Sequence, residues 1–215
     1  MRFSEYFRLH KNKIFAVGFA ALSLAIFFAY YGVELGFNGL AFFTSNPFEI
    51  WNCIIVLIAY FTIFYCNVTN DAAAYRGIIM FLFMIVFSQI LNLFPNLMIL
   101  FSNFATLDPA IIAFTILEAV FLIGQVVVGV FLYLRVQAYR MMRYHDFRKI
   151  RLLSILFSAA LILSLGFSIG VLAYGVTFST PLDAFLFYFL LFALPVSEAL
   201  MSVSVIFTLE RLRRY

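Results

Sequence analysis

Residues 14–33 read IFAVGFAALSLAIFFAYYGV, twenty consecutive positions without a charge. The hydrocarbon core of a bilayer is about 30 Å thick, and an α-helix needs about 20 mostly apolar residues to cross it. The stretch meets both requirements and is read as a spanning helix. Five further runs repeat the signal at about 50–68, 77–101, 109–134, 152–174 and 184–208. Glu118 interrupts the fourth span and Glu198 the sixth. The chain is uncharged from Gly77 to Leu107, longer than one span requires, so a turn is expected near 102–106. Gly175 to Asp183 carries the turn residues between the last two spans. The expected fold is an all-α polytopic membrane protein with a single transmembrane domain over 1–215. Its six helices form three antiparallel hairpins, with both termini cytoplasmic.

Composition agrees. Of 215 residues, 66% are hydrophobic and 11% charged, and the mean hydropathy is +1.07. A soluble domain is about 45–50% apolar and about 25% charged, and a chain this short has too little interior to hide the excess. Soluble, disordered and collagenous classes are excluded. The pI near 9.1 is explained by where the cations sit. Arg2, Arg8, Lys11 and Lys13 precede span one, and Arg76 lies between spans two and three. Arg135, Arg140, Arg143, Arg148, Lys149 and Arg151 lie between four and five, and Arg211, Arg213 and Arg214 follow six. All 14 fall on one face; the opposite loops hold Glu34, Glu49, Asp108 and Asp183. The positive-inside rule assigns the basic face to the cytoplasm, so the net charge of +4 is a topology signal and not a sign of nucleic-acid binding. The expected location is the plasma or inner membrane, with an organellar membrane as the alternative.

Two segments alternate aromatic and basic residues: 1–13 and the loop at 136–151. The first is read as a short interfacial helix on anionic headgroups. In the second, Arg140, Arg143, Arg148 and Lys149 offer either a lipid anchor or a docking surface for a cytoplasmic partner. No cleavable signal peptide is expected, because the first run is long enough to span and no small-residue cleavage pattern follows it. Cys53 and Cys66 share one helix about 20 Å apart and cannot pair. Asn67-Val68-Thr69 fits a glycosylation acceptor but lies on the cytoplasmic side, so it is taken as chance. Ser45-Asn46-Pro47, Leu107-Asp108-Pro109 and Ser179-Thr180-Pro181 each place a polar residue before a proline. That pattern starts helices: the side chain caps free N–H groups, and proline has none to lose.

An ionisable residue deep in lipid costs about 2.5–3.5 kcal/mol on insertion scales and usually faces a bundle interior. Glu118 and Glu198 are the two here, each near its span's centre. Gln125 follows Glu118 by two turns, and Gln89, Asn92 and Asn96 stand in span three. Pro95 and Pro195 remove a helical hydrogen bond beside these polar groups. Interrupted helices at corresponding positions of two halves mark a transporter's midplane site. Two readings follow. In one, spans three, four and six line a path for a small solute or ion. In the other, the amides and neutral acids are glue between helices, worth roughly 0.6–2 kcal/mol per bond.

Gly166 and Gly170, like Ala16 and Ala20, have the four-residue spacing of close helix packing, within the bundle or between subunits. The Ala16/Ala20 and Ala21/Ala25 spacing is similar to that in the first helix of substrate-binding components of energy-coupling-factor transporters. There is no H-E-x-x-H, C-x-x-C, nucleophile elbow or phosphate loop, so neither an enzyme nor a cofactor is expected. The function expected is a membrane transport protein or permease-type subunit, acting with other membrane subunits or as a homo-oligomer. The alternative is a non-catalytic assembly subunit of a larger complex.

Overall fold

A computed structural model describes residues 3–38, 47–69, 71–103, 108–141, 146–173, 177–178 and 180–212. It contains six long helices: α1 (Phe3–Asn38), α2 (Pro47–Thr69), α3 (Asp71–Asn103), α4 (Pro109–Arg140), α5 (Phe147–Ala173) and α6 (Pro181–Leu212). Each is long and apolar enough to cross a membrane, and no strand occurs among the described residues.

Local chemistry sets the helix ends. α2, α4 and α6 each begin on the proline of a polar-Pro pair. The Asp108 carboxylate accepts the Ala110 N–H at 2.8 Å and caps α4. The Thr180 hydroxyl accepts the Asp183 N–H at 3.2 Å at the start of α6. Asp146 does the same for Arg148 at 3.1 Å, opening α5. No proline or glycine lies between Phe3 and Val17. The helix therefore runs unbroken from Phe3, and residues 3–13 are continuous with the helix of the first span. α3 and α6 likewise stay helical through Pro95 and Pro195.

The helices close into a ring in chain order, with α6 returning to α1 and also touching α2 and α3. The most extensive pairs are α1/α6, α4/α5 and α2/α3. The outer turns suggest α1/α2, α3/α4 and α5/α6 instead. The connections explain part of the difference: one residue separates α2 from α3, whereas eight separate α1 from α2. Gly77 lets α3 lie against α2, since a Cβ there would come within 2.6 Å of the Cys66 Cβ. Gly129 of α4 is wedged similarly between Val86 of α3 and Phe157 of α5.

Contacts between helix ends fix the polarity of the bundle. Phe15 and Phe19 of α1 stack on Phe207 of α6 at 5.2 and 5.8 Å between centroids. Tyr139 of α4 meets Tyr75 of α3 and Phe147 of α5, and Arg151 of α5 pairs with Glu210 of α6 at 3.1 Å. The described cations, among them Lys13, Arg76, Arg140 and Arg151, therefore gather at one end of the bundle. Large apolar side chains such as Leu22, Phe28, Phe61, Phe83, Phe131 and Phe185 point outward. Water would penalise that surface; lipid accepts it.

Candidate functional site

Ser23 stands at the middle of the apolar segment His10–Gly36, Tyr60 at the middle of Ile50–Thr69, and Ser197 and Glu198 at the middle of Pro181–Leu212. The fold brings these four residues together. The Ser23 hydroxyl donates to the Ser197 carbonyl at 2.7 Å, and the Ser197 hydroxyl donates to the Ser23 carbonyl at 2.9 Å. The two hydroxyl oxygens are 3.1 Å apart. Two turns toward the cationic end, Ser204 donates to the Ala16 carbonyl at 2.6 Å. Ser23, Ala16, Ala20, Ser197 and Ser204 are all fully buried. Small side chains allow the backbones to approach, and hydroxyls then bond across the seam.

Tyr60 of α2 closes the cluster. Its ring packs on Phe27 and Phe81 at 5.5 and 6.5 Å. Its hydroxyl adjoins Ser23, Ser197 and Glu198, yet it is buried without a hydrogen bond in proper geometry. Glu198 is half-buried, with Oε2 fully enclosed and also without a partner. Ser202, one turn beyond on the same face, is a second buried hydroxyl, and a third buried polar group, without a partner. Leu191, Val205 and Leu209 complete this inward stripe of α6. An unpaired polar group in such surroundings costs about 1–3 kcal/mol. Tyr60, Glu198 and Ser202 each carry one.

Nearer the cationic end, hydrogen bonds join α2 to α6. Thr208 donates to Asn67 Oδ1 at 3.0 Å, and Arg211 donates to the Asn67 carbonyl at 3.2 Å. The Asn67 amide itself donates to the Ile63 carbonyl at 2.9 Å, and the residue is fully buried. Toward the other end, the Ser88 hydroxyl of α3 donates to Asn52 of α2.

Of the residues singled out in the sequence, those on α4 lie apart from Glu198 of α6. Gln125 is fully buried in α4, with neither amide atom bonded, and Glu118 is half-buried on the same helix. No Cα of α4 comes within 8 Å of one in α6 among the described residues, so this pair lies apart from Glu198. Gln89 is buried in α3. The side chains of Asn92, Pro95 and Asn96 and the whole of Arg143 lie outside the described residues. Arg140, Arg148 and Lys149 are exposed, with Lys149 3.8 Å from Asp146. A Cβ at Gly166 would meet nothing within 4 Å, whereas one at Gly170 would face the Phe114 ring at 3.4 Å. Gly166 lines an apolar groove of about 260 Å³ with Ile162, Leu165 and Ile169 of α5 and Pro195, Val196 and Ala199 of α6. No cluster of three or more His, Cys, Asp or Glu side chains suited to a metal ion occurs among the described residues.

Ser23, Tyr60, Ser202 and Asn67 are absent from the sequence-based set. A serine or tyrosine in an apolar run carries no signal of its own, and only their convergence marks them. No protein-family model matches the chain, and comparison with curated proteins and with solved structures found no match.

Proposed function

We propose that this chain is an integral membrane transport protein, or the permease-type subunit of one, that moves a small solute or ion between its helices together with a partner protein. Six antiparallel spans would cross the cytoplasmic membrane with both termini inside. The observation that carries the reading is Glu198: its Oε2 is enclosed at mid-bundle without a hydrogen-bond partner, in the neighbourhood of the Tyr60 hydroxyl. Packing alone favours satisfied groups, and an intramembrane acid is costly enough to imply use. The serine pair beside it fixes α1 to α6, and the Asn67–Thr208–Arg211 bonds join α2 to α6 on the cationic side. A mid-bundle site with one bonded end suits a protein that exposes its site to one side at a time.

The test is flux in proteoliposomes carrying a pH-sensitive dye, challenged with a panel of amino acids, vitamins and inorganic cations. Glu198→Gln is expected to abolish a flux that the parent chain supports, while variant and parent elute alike on size exclusion. Unchanged flux in Glu118→Gln/Glu198→Gln would refute the reading.

The second reading, an assembly subunit, is favoured by the open groove at Gly166. It predicts a partner that co-purifies under gentle solubilisation and is lost in Gly166→Leu. A chain that remains monomeric, with no change on substitution, would exclude it.

A further inference from the structure

The oxygens around Glu198 discriminate between ligands. Each of the two serine hydroxyls donates to the other residue's carbonyl, closing a set that holds α1 against α6. What remains uncommitted is Oε2 of Glu198; the Tyr60 hydroxyl stands near it, beside the two serines but without a hydrogen bond of good geometry, and Ser202 lies one turn along α6. Hard divalent cations take about six to eight oxygens at once. A metal ion here would have to break the serine seam to find them, and no cluster of three or more His, Cys, Asp or Glu side chains suited to a metal occurs among the described residues. A proton needs only one acceptor and one neighbour.

Among the described residues, no fixed charge stands at this depth on the helices packed against α6. On the elements packed against α6, the charged or titratable groups stand far from this depth. Lys13 and Glu34 of α1 lie about 15 Å along the helix from Ser23, at 1.5 Å per residue. Arg76 and Tyr75 of α3 and Arg151 of α5 belong to the cationic end. On α2, Tyr65, Cys53 and Cys66 are more than a turn from Tyr60. Arg211 of α6 itself is about 20 Å from Glu198 along the axis. Tyr60 is the titratable group that faces Glu198.

We propose that Glu198 and Tyr60 form a proton-binding site at the middle of the membrane, and that the ion taken up there is a proton and not a metal cation. As a substrate or coupling ion, the proton's role rests on the transport reading; its binding does not. A hydronium ion arriving at Oε2 breaks one O–H bond and forms another, leaving water behind and a neutral acid in place of a carboxylate. The neutral acid donates to the Tyr60 oxygen. On release, the Tyr60 hydroxyl turns its own proton toward the carboxylate. Tyr60 thus acts as a positioning residue for both states.

The experiment is labelling of the purified full-length chain in detergent with dicyclohexylcarbodiimide, which reacts with protonated carboxyls in apolar surroundings, read by peptide mass spectrometry. The expected result is an adduct on Glu198 that falls at least tenfold between acidic and alkaline pH and is unchanged by 100 mM Na⁺, K⁺ or Mg²⁺. Tyr60→Phe should keep the adduct to higher pH, because the charge-assisted bond to the carboxylate is the stronger one lost. Glu198→Gln should lose the adduct while its elution volume is unchanged. Saturable protection by a metal cation would overturn the proposal, as would absence of the adduct at every pH in a monodisperse sample. If labelling follows the expected pattern but Glu198→Gln leaves flux unchanged, the transport reading fails and the proton site stands.

Discussion

Ser23 and Ser197 bond reciprocally across the α1/α6 seam, so their contributions should be coupled. Ser23→Ala and Ser197→Ala, alone and combined, should give a coupling energy of about 0.6–1.7 kcal/mol, the range found for bonds between membrane helices. Unfolding in mixed detergent micelles measures it, and strict additivity would contradict the seam. The glycines separate by sign. Gly129→Ala gains up to about 1 kcal/mol in helix propensity but drives a Cβ to 2.6 Å from Val86 and 2.9 Å from Phe157. Overpacking of this kind costs about 1–3 kcal/mol, so a net loss is expected. Gly166→Ala meets no atom within 4 Å and should be neutral or stabilising. Glu198 was legible as a candidate because a carboxylate stands out in an apolar run. Its neighbours were not, since their significance is a matter of three-dimensional meeting.

The helices show a parallel division. Their number and several of their starts can be read directly: Pro47, Pro109 and Pro181 open helices because capping chemistry is local. Which helices pair extensively cannot be read so simply. A helix apolar on all sides presents no single face, and the α1/α6 seam joins residues 174 positions apart. The polar core expected from spans three, four and six illustrates the difficulty. Seven-residue spacing places Glu118 and Gln125 on one side of α4, but says nothing of whether that side meets α6. Disulfide formation tests the arrangement, because it requires Cα atoms about 4.4–6.8 Å apart. In a background lacking Cys53 and Cys66, Ala16→Cys/Ser204→Cys should cross-link on mild oxidation. Gln125→Cys/Ser202→Cys should not. The reverse pattern would show that α4, not α1, lies against α6.

At the scale of the whole molecule, outward apolar side chains, inward serines and a cation-rich end belong to one scheme. Lipid solvates the surface, small and hydroxylated residues draw the helices together, and the basic end keeps its position in water. The mid-bundle acid has meaning only if that scheme is right, since its depth is set by how the bundle sits in the bilayer. Labelling of single cysteines in sealed vesicles with a membrane-impermeant maleimide tests it most directly, again without Cys53 and Cys66. Lys11→Cys and Arg140→Cys should react from the same side, and Asp108→Cys from the other. Reaction of Arg140→Cys from the side opposite Lys11→Cys would contradict the account.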